Sequence, residues 1–255
     1  MNWIDSHAHI YSSEFDTDRN EAITRAKEAG VNRILMPAID SSTHEGMLRL
    51  ENEFSGTCIS MMGLHPCSVR ANYEEELRIV EDYLLKQTFV AIGEIGLDFY
   101  WDISFKDQQY AAFHRQVEWA LHYDIPVSVH SRNATDECIQ LVQEHQDGKL
   151  KGVFHCFSGT VGQAQKVIET GFYLGIGGVL TFKNAGLDKV LKEIDPVHLI
   201  LETDAPYLAP VPFRGKRNEC GYIPLIAQKL ADIKEMGIDR VAEITTANTE
   251  KLFGL

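Results

Sequence analysis

The chain repeats one unit from end to end: a short apolar run, a polar loop and a longer segment with helical periodicity. Eight apolar runs are present, and their continuous Ile, Val and Leu content is typical of strands covered on both faces of a parallel sheet. The alternation therefore predicts an α/β fold. The predicted strands are Trp3–Ser6, Arg33–Ala38, Cys58–Gly63, Val90–Ile95, Pro126–Val129, Gly152–His155, Phe172–Ile176 and Leu199–Thr203.

Helical segments follow the strands, as in Phe105–His122, where apolar residues recur at the spacing of one helix face. No low-complexity linker interrupts the eight units, so residues 1–255 are predicted to form one domain, a single (β/α)8 TIM barrel. A doubly wound open sheet is the alternative. It would need fewer strands, or a glycine-rich phosphate loop after the first strand, where His7 and His9 stand instead.

Composition sets broad limits on function. The chain of 255 residues carries 24 Lys and Arg against 37 Asp and Glu, a net charge of −13, and is 44% hydrophobic. These values are ordinary for a globular protein and exclude a disordered or fibrous chain. Net negative charge opposes nonspecific adhesion to nucleic acid or anionic membranes. It does not exclude a phosphate-bearing substrate, because bound divalent cations would create a local positive field.

Three features of the sequence predict a cytoplasmic location. The opening segment MNWIDSHAHI lacks the basic and apolar regions of a secretory signal. The longest nearly uncharged run, residues 171–182, is too short to span a bilayer. Five cysteines without CxxC spacing favour reduced thiols. We therefore expect a cytoplasmic protein without membrane association, and no obligate protein partner is indicated.

Polar side chains gather at the carboxyl ends of six predicted strands, which converge on one rim of a barrel, where barrel active sites lie. His7 and His9, at positions i and i+2, point to the same face and can aim at one ion. Imidazole and carboxylate suit Zn²⁺ or Mn²⁺, and carboxylate with water suits Mg²⁺. A rim of hydrogen-bonded polar residues is the alternative. The residues concerned are His7, His9, His65, Glu94, His130, His155 and Asp204.

The other histidines are predicted to lie on helices or at strand starts, away from this rim, as surface or packing residues. They are His44, His114, His122, His145 and His198.

Seven segments, in order over nearly the whole chain, carry a further signal: IDSHAHI (4–10), GLHP (63–66), IGEIGLDFY (92–100), VSVHSR (127–132), FHCFSG (154–159), ILETDAPYLAP (200–210) and RGKRNE (214–219). By these segments the sequence resembles the TatD-related metal-dependent deoxyribonucleases, within the amidohydrolase-type metal barrels. The resemblance implies hydrolysis of DNA phosphodiesters. It also implies a two-metal site whose ligands are His7, His9, Glu94, His130, His155 and Asp204.

Phosphodiester hydrolysis needs a nucleophile at neutral pH and relief of negative charge, and two divalent ions (Mg²⁺, Mn²⁺ or Zn²⁺) can supply both. Glu94 is predicted to bridge them, because a carboxylate has two oxygens. Asp204 is predicted to accept the proton of the nucleophile and to touch a metal; alternatively it orients His7 or His9. Glu202, one layer deeper, is predicted to support a ligand histidine or Arg217.

Substrate contacts are expected beside this site. Residues 213–219 form a local basic cluster after the last predicted strand, near the loops that bind phosphate in many barrels. A solvated loop would also explain the cluster, but its position beside Asp204 favours contact with the DNA backbone. Aromatic residues 99–101 either stack on a base or pack as a local core. The predicted substrate-binding residues are His65, Arg214, Lys216 and Arg217.

The sequence thus predicts a divalent-metal-dependent deoxyribonuclease that cleaves DNA phosphodiester bonds near strand ends without base specificity. Two alternatives remain at this stage. One is a metal-dependent hydrolase of the same architecture that acts on an amide, lactone or aminoacyl ester. The other is a non-catalytic binding module that retains the barrel.

Overall fold

Eight strands alternate with nine α-helices in the computed structural model, which describes residues 1–255. The strands are β1 (Trp3–Asp5), β2 (Val31–Met36), β3 (Cys58–Ser60), β4 (Ile92–Asp98), β5 (Val127–Arg132), β6 (Gly152–Phe154), β7 (Tyr173–Ile176) and β8 (Leu199–Leu201). The helices are α1 (Arg19–Glu28), α2 (Ser41–Glu53), α3 (Tyr73–Leu84), α4 (Lys106–Tyr123), α5 (Thr135–His145), α6 (Val161–Glu169), α7 (Leu187–Glu193), α8 (Ile223–Lys234) and α9 (Ile238–Phe253).

All strands are parallel and form two sheets, in the orders β1-β2-β3 and β4-β5-β6-β7-β8. Single parallel bridges join the edges of the sheets, one between Ala8 and Ala205 and one between Met62 and Ile92. The predicted α/β class with a parallel arrangement is confirmed. The first bridge brings the loop after β1 beside the loop after β8.

Two strands are longer than predicted. β4 and β5 pair as far as Asp98 and Arg132. The ends of their continuous apolar runs predict strand ends at Ile95 and Val129 instead. Glu94 therefore lies near the start of β4, and His130 lies within β5, so their expected positions at strand ends were wrong. Backbone pairing holds a strand together even where its side chains turn polar.

Five other strands are shorter than predicted, and two of them, β1 and β8, bear on the site. β1 ends at Asp5 and β8 ends at Leu201, so that His7, His9 and Asp204 stand in the loops beyond them. Backbone hydrogen bonds connect these loops, from Asp204 N to His7 O at 2.9 Å and from His9 N to Ala205 O at 2.7 Å. The loops are therefore positioned by each other although some two hundred residues separate them.

The end of the chain packs under the strands. Leu252 and Phe253 of α9 join one buried apolar cluster with side chains from both sheets. Burial of such side chains stabilises the fold by about 1.5–3 kcal/mol each. The other members are Ile4, Leu35, Met61, Ala91, Val153 and Ile200.

None of the nine helices combines the length and the apolar character that crossing a bilayer requires.

Candidate metal centre

Glu94 lies at the centre of the polar cluster and is buried. Its Oε2 atom lies 3.1 Å from Nε2 of His7 and 3.5 Å from Nε2 of His9. Oδ1 of Asp204 lies 3.9 and 3.7 Å from the same two nitrogens. The first oxygen of Glu94 therefore faces a group made by the loops after β1 and β8.

The second oxygen of Glu94 faces a different set of histidines. Oε1 lies 2.8 Å from Nδ1 of His130, 3.4 Å from Nε2 of His155 and 3.3 Å from Nε2 of His65. These residues come from β5, from the end of β6 and from the segment after β3. The two oxygens of one carboxylate are thus shared between two groups of imidazoles.

A hydrogen-bond chain fixes the tautomer of His9. The Tyr11 hydroxyl donates its only hydrogen to the Pro37 carbonyl at 2.6 Å. Its oxygen lies 2.9 Å from Nδ1 of His9 and can therefore only accept a hydrogen bond from that nitrogen. Nδ1 of His9 therefore carries the proton, and Nε2 presents its lone pair to Glu94 and Asp204. This is the arrangement by which a neighbouring group orients a metal-binding imidazole.

His155 is oriented in the same way by Glu202. Oε1 of Glu202 lies 3.0 Å from Nδ1 of His155 and also accepts from the backbone N–H of Cys156 at 2.5 Å. The imidazole therefore donates through Nδ1 when neutral, and its Nε2 lone pair points at Glu94. Of the two roles predicted for Glu202, the structure shows contact with a histidine and none with Arg217.

His65 has the opposite tautomer. The backbone N–H of Cys67 donates to its Nδ1 at 3.0 Å, so the proton of the neutral ring sits on Nε2, which faces Oε1 of Glu94. His65 is therefore arranged to donate a hydrogen bond into the site.

Burial and mutual charge shift the pKa values of the cluster. Burial alone would raise the pKa of Glu94, but His65, His155 and His7 hold it well below its usual value. Burial lowers the pKa of His155, yet the Glu202 and Glu94 carboxylates raise it to about 10. Burial raises the pKa of Asp204 to about 6. Divalent ions could supply the positive charge that these buried carboxylates require.

The donor set fits divalent cations. Three overlapping groups have ligand atoms that all lie within 4.8 Å of one another: His7, His9 and Glu94; His7, His155 and Asp204; and His65, Glu94 and His130. Imidazole nitrogen with carboxylate oxygen suits zinc, manganese and related ions. The chain therefore contains His/Glu/Asp clusters that could hold metal.

Known proteins share this arrangement of motifs. A sequence model of the family described as TatD related DNase matches residues 4–254. The chain belongs to the TatD family. The uncharacterized metal-dependent hydrolase YabD of Bacillus subtilis is 38% identical over 98% of both chains. A protein of Shigella flexneri named 3'-5' ssDNA/RNA exonuclease TatD is 32% identical over 99% of both. The crystal structure of the TatD homologue YjjV of Escherichia coli superposes with a TM-score of 0.93 at 28% identity, covering 99% of this chain and 98% of YjjV.

The family resemblance found in the sequence is confirmed, and the chain is a metal-dependent hydrolase of the TatD family. Its clustered side chains open into a cavity of about 490 Å³. His7 is fully buried and does not line the cavity. The lining residues are His9, Ile39, His65, Cys67, Glu94, Asp98, Trp101, His130, Arg132, His155, Asp204, Tyr207 and Leu208.

The predicted basic cluster does not line this TatD-family cavity. Arg217 donates to Asp18 at 2.6 and 2.8 Å and to Glu219 at 2.9 Å, which occupies both of its terminal amino groups. Arg214 lies over the Phe182 ring at 3.7 Å, against a separate surface cavity. Lys216 makes no ion pair. Substrate contact by Arg214, Lys216 and Arg217 stays a prediction, although Arg217 already pairs with Asp18, the residue before α1.

The remaining histidines lie outside the cavity. His44 is buried with its ring edge against Tyr83, and Nδ1 of His114 lies 2.7 Å from Nε2 of His145 between α4 and α5. Their contacts are those of packing residues.

Three residues that line or support the cavity, Asp98, Arg132 and Tyr11, were not among the predicted site residues. Asp98 Oδ2 lies 2.9 Å from Nε2 of His130, and Arg132 reaches the mouth from the same strand. A signal was available for Arg132, since it follows His130 by two residues and shares its face of β5. No sequence signal marks Tyr11 as the partner of His9, because that role depends on the Pro37 carbonyl.

Proposed function

We propose that this chain is a divalent-metal-dependent nuclease that hydrolyses phosphodiester bonds of DNA from strand ends. The observation that carries the proposal is the division of the two Glu94 oxygens between separate groups of histidines. A carboxylate so placed can bridge two cations about 3.5–4 Å apart. The relative of Shigella flexneri named as a ssDNA/RNA exonuclease supports the choice of substrate class.

In this proposal two divalent ions bind. His7, His9, Asp204 and Glu94 would hold one ion, and His130, His155 and Glu94 would hold the other. The ions would lower the pKa of water and offset negative charge on the phosphate. Mg²⁺, Mn²⁺ and Zn²⁺ all suit this donor set.

Each remaining side chain has a distinct proposed task. Asp204 accepts a proton from the attacking water, because its carboxylate lies at the cavity surface beside His9. His65 donates from Nε2 to a phosphate oxygen. Tyr11 and Glu202 keep His9 and His155 in the ligating tautomer. All these groups are held before substrate binds, so little reorganisation is needed for reaction.

We further propose that residues 1–255 form one domain, a closed (β/α)8 barrel. The bridges Ala8–Ala205 and Met62–Ile92 support closure, because they join the two sheets at both edges. The apolar cluster that unites side chains of β1, β2, β6 and β8 supports it too. A closed barrel would bring every strand's carboxyl end to one rim.

The shape of the cavity favours action at strand ends. Glu94 lines the cavity and is buried, and His7 and Glu202, which contact the site, are buried and do not line the cavity. A phosphate that reaches Glu94 must therefore enter the cavity, which a terminal nucleotide does more readily than the middle of a strand.

The test is a cleavage assay on the purified full chain. A 5'-labelled linear single-stranded DNA is incubated with Mg²⁺, Mn²⁺ or Zn²⁺, with and without chelator. A covalently closed circular single strand, which has no ends, is incubated in parallel. We expect chelator-sensitive release of mononucleotides from the linear strand only. Turnover of amide, lactone or aminoacyl ester substrates without nucleotide release would contradict the proposal.

A further inference from the structure

Arg132 is the one permanently cationic side chain that lines the cavity. Its guanidinium lies 4.3 Å from the Tyr100 ring centroid and forms no ion pair, although acidic residues outnumber basic ones in this chain. Stacking on an aromatic face holds the planar group while its N–H edge stays free for a phosphate.

Arg132 lies closer to the solvent than the candidate metal centre does. It follows His130 by two residues on β5, so it shares the same face and lies about 6–7 Å farther along the strand. Glu94 is buried and Arg132 is exposed, so a strand whose reacting phosphodiester sits at Glu94 leaves the cavity on the side of Arg132. The next phosphate along that strand then passes Arg132.

Large apolar side chains are exposed at the same mouth. Tyr100 is 52% exposed, Trp101 71% and Ile103 63%, within four residues. Solvent exposure of such a cluster indicates a binding surface. Trp101 lines the cavity, and its ring meets that of Tyr100 edge to face at 4.8 Å.

The loop that carries these aromatics is anchored to the metal centre. The backbone N–H groups of Tyr100 and Trp101 donate to Oδ1 of Asp98 at 2.9 and 3.0 Å, and Oδ2 of Asp98 contacts His130. The aromatic surface is therefore ordered before substrate binds, which reduces the entropy lost on binding.

We propose that Arg132, Tyr100 and Trp101 form a nucleotide subsite that binds the nucleotide next to the reacting phosphodiester. Arg132 binds its phosphate and Trp101 stacks on its base. The proposal rests on the proposed nuclease function. The ligand of the cavity mouth is then a nucleic-acid strand, since the subsite offers a cation for phosphate and an aromatic face for any base.

Binding tests the subsite independently of cleavage. The probe is a labelled five-nucleotide thymidylate with phosphorothioate linkages, added to the Mg²⁺-loaded chain at several salt concentrations. We expect Arg132→Met to bind about tenfold more weakly, with a slope of log affinity against log salt smaller by about 0.7. Arg78→Met, on the exposed face of α3, is the matched control and should bind like wild type.

The aromatic part has its own readout. Trp3 and Trp119 are buried, so iodide-accessible fluorescence reports on Trp101. The thymidylate should quench this signal in wild type. Trp101→Ala should weaken binding about 5- to 100-fold, and Trp101→Phe should restore most of it. Quenching that is absent in wild type would overturn the base contact.

Kinetics separate the subsite from the metal centre. Bis(p-nitrophenyl) phosphate is a diester with no neighbouring phosphate, so Arg132→Met should raise KM for the oligonucleotide by a larger factor than KM for this diester. Equal losses on both substrates, or an affinity and salt slope equal to those of Arg78→Met, would overturn the proposal. If wild type cleaves neither substrate, the nuclease function fails while the binding results still decide the subsite.

Discussion

Oε1 of Glu202 lies 3.0 Å from Nδ1 of His155, and both side chains are buried. Glu202 thereby raises the basicity of the imidazole and directs its Nε2 atom at Glu94. The same carboxylate accepts from the backbone of Cys156, so its position does not depend on His155 alone. A buried carboxylate behind a histidine ligand is a common means of strengthening metal binding.

We therefore expect Glu202→Gln to weaken metal binding about 10- to 100-fold while the amide oxygen still accepts both hydrogen bonds. The measurement is competition against a chromophoric chelator at neutral pH, with circular dichroism to verify the fold. Glu75→Gln, an exposed carboxylate on α3, is the control. Equal metal affinity of Glu202→Gln and wild type would contradict the role assigned to Glu202.

Asp204 occupies the left-handed backbone region, with φ of 58°. Asparagine adopts this conformation readily, so Asp204→Asn should fold normally. Loss of the proton acceptor should lower kcat by about 10²- to 10⁴-fold. Asp124→Asn is a close control, because Asp124 has φ of 52° at the end of α4, away from the cavity. Cleavage by Asp204→Asn at the wild-type rate would show that Asp204 is not the base.

Arg217 is predicted to stabilise the fold and not to bind substrate. It links Asp18, Glu219 and the Phe15 ring. Arg217→Met should lower the free energy of unfolding by about 1–2 kcal/mol, as expected for a partly buried bidentate ion pair. Urea unfolding gives this value, and KM for an oligonucleotide should stay within about twofold of wild type. A large rise in KM with unchanged stability would return Arg217 to the substrate contacts.

Glu219 should make stability depend on pH. Burial raises its pKa, but Arg25 and Arg217 lower it more, so that it falls below its ordinary value of 4.5. Its contribution to stability is therefore present above pH 4.5 and is lost as pH falls through the lower folded-state pKa. Urea unfolding of Glu219→Gln should show a deficit relative to wild type at pH 7 that shrinks below pH 4.5. Glu243→Gln, an exposed partner of Arg240, should show no such trend.

Periodicity located all eight strands because continuous apolar runs are needed wherever a strand is covered on both faces. It misjudged the ends of β4 and β5, since Gly96–Asp98 and His130–Arg132 continue the ladder beyond the continuous apolar runs. These extensions contain Asp98 and Arg132, which were not among the predicted site residues.

The histidines of the site were found because strand ends of parallel units converge. The sequence could not show which group forms a hydrogen bond with each imidazole ring. The tautomer of His9 depends on a carbonyl at Pro37, and that of His65 on the backbone of Cys67. Charge along the chain also does not reveal that Arg217 pairs with Asp18, which lies 199 residues earlier. Contact between the basic cluster and substrate stays a prediction. Cytoplasmic location stays a prediction.

The central claim is that Glu94 joins two cations, and metal counting on Glu94→Gln tests it most directly. Wild-type protein, stripped with chelator and reloaded, should contain two divalent ions per chain by elemental analysis, and nucleotide release should return with them. Glu94→Gln should retain at most one ion and release no nucleotides. Two ions in the variant, or full cleavage by wild type in the presence of chelator, would contradict the account.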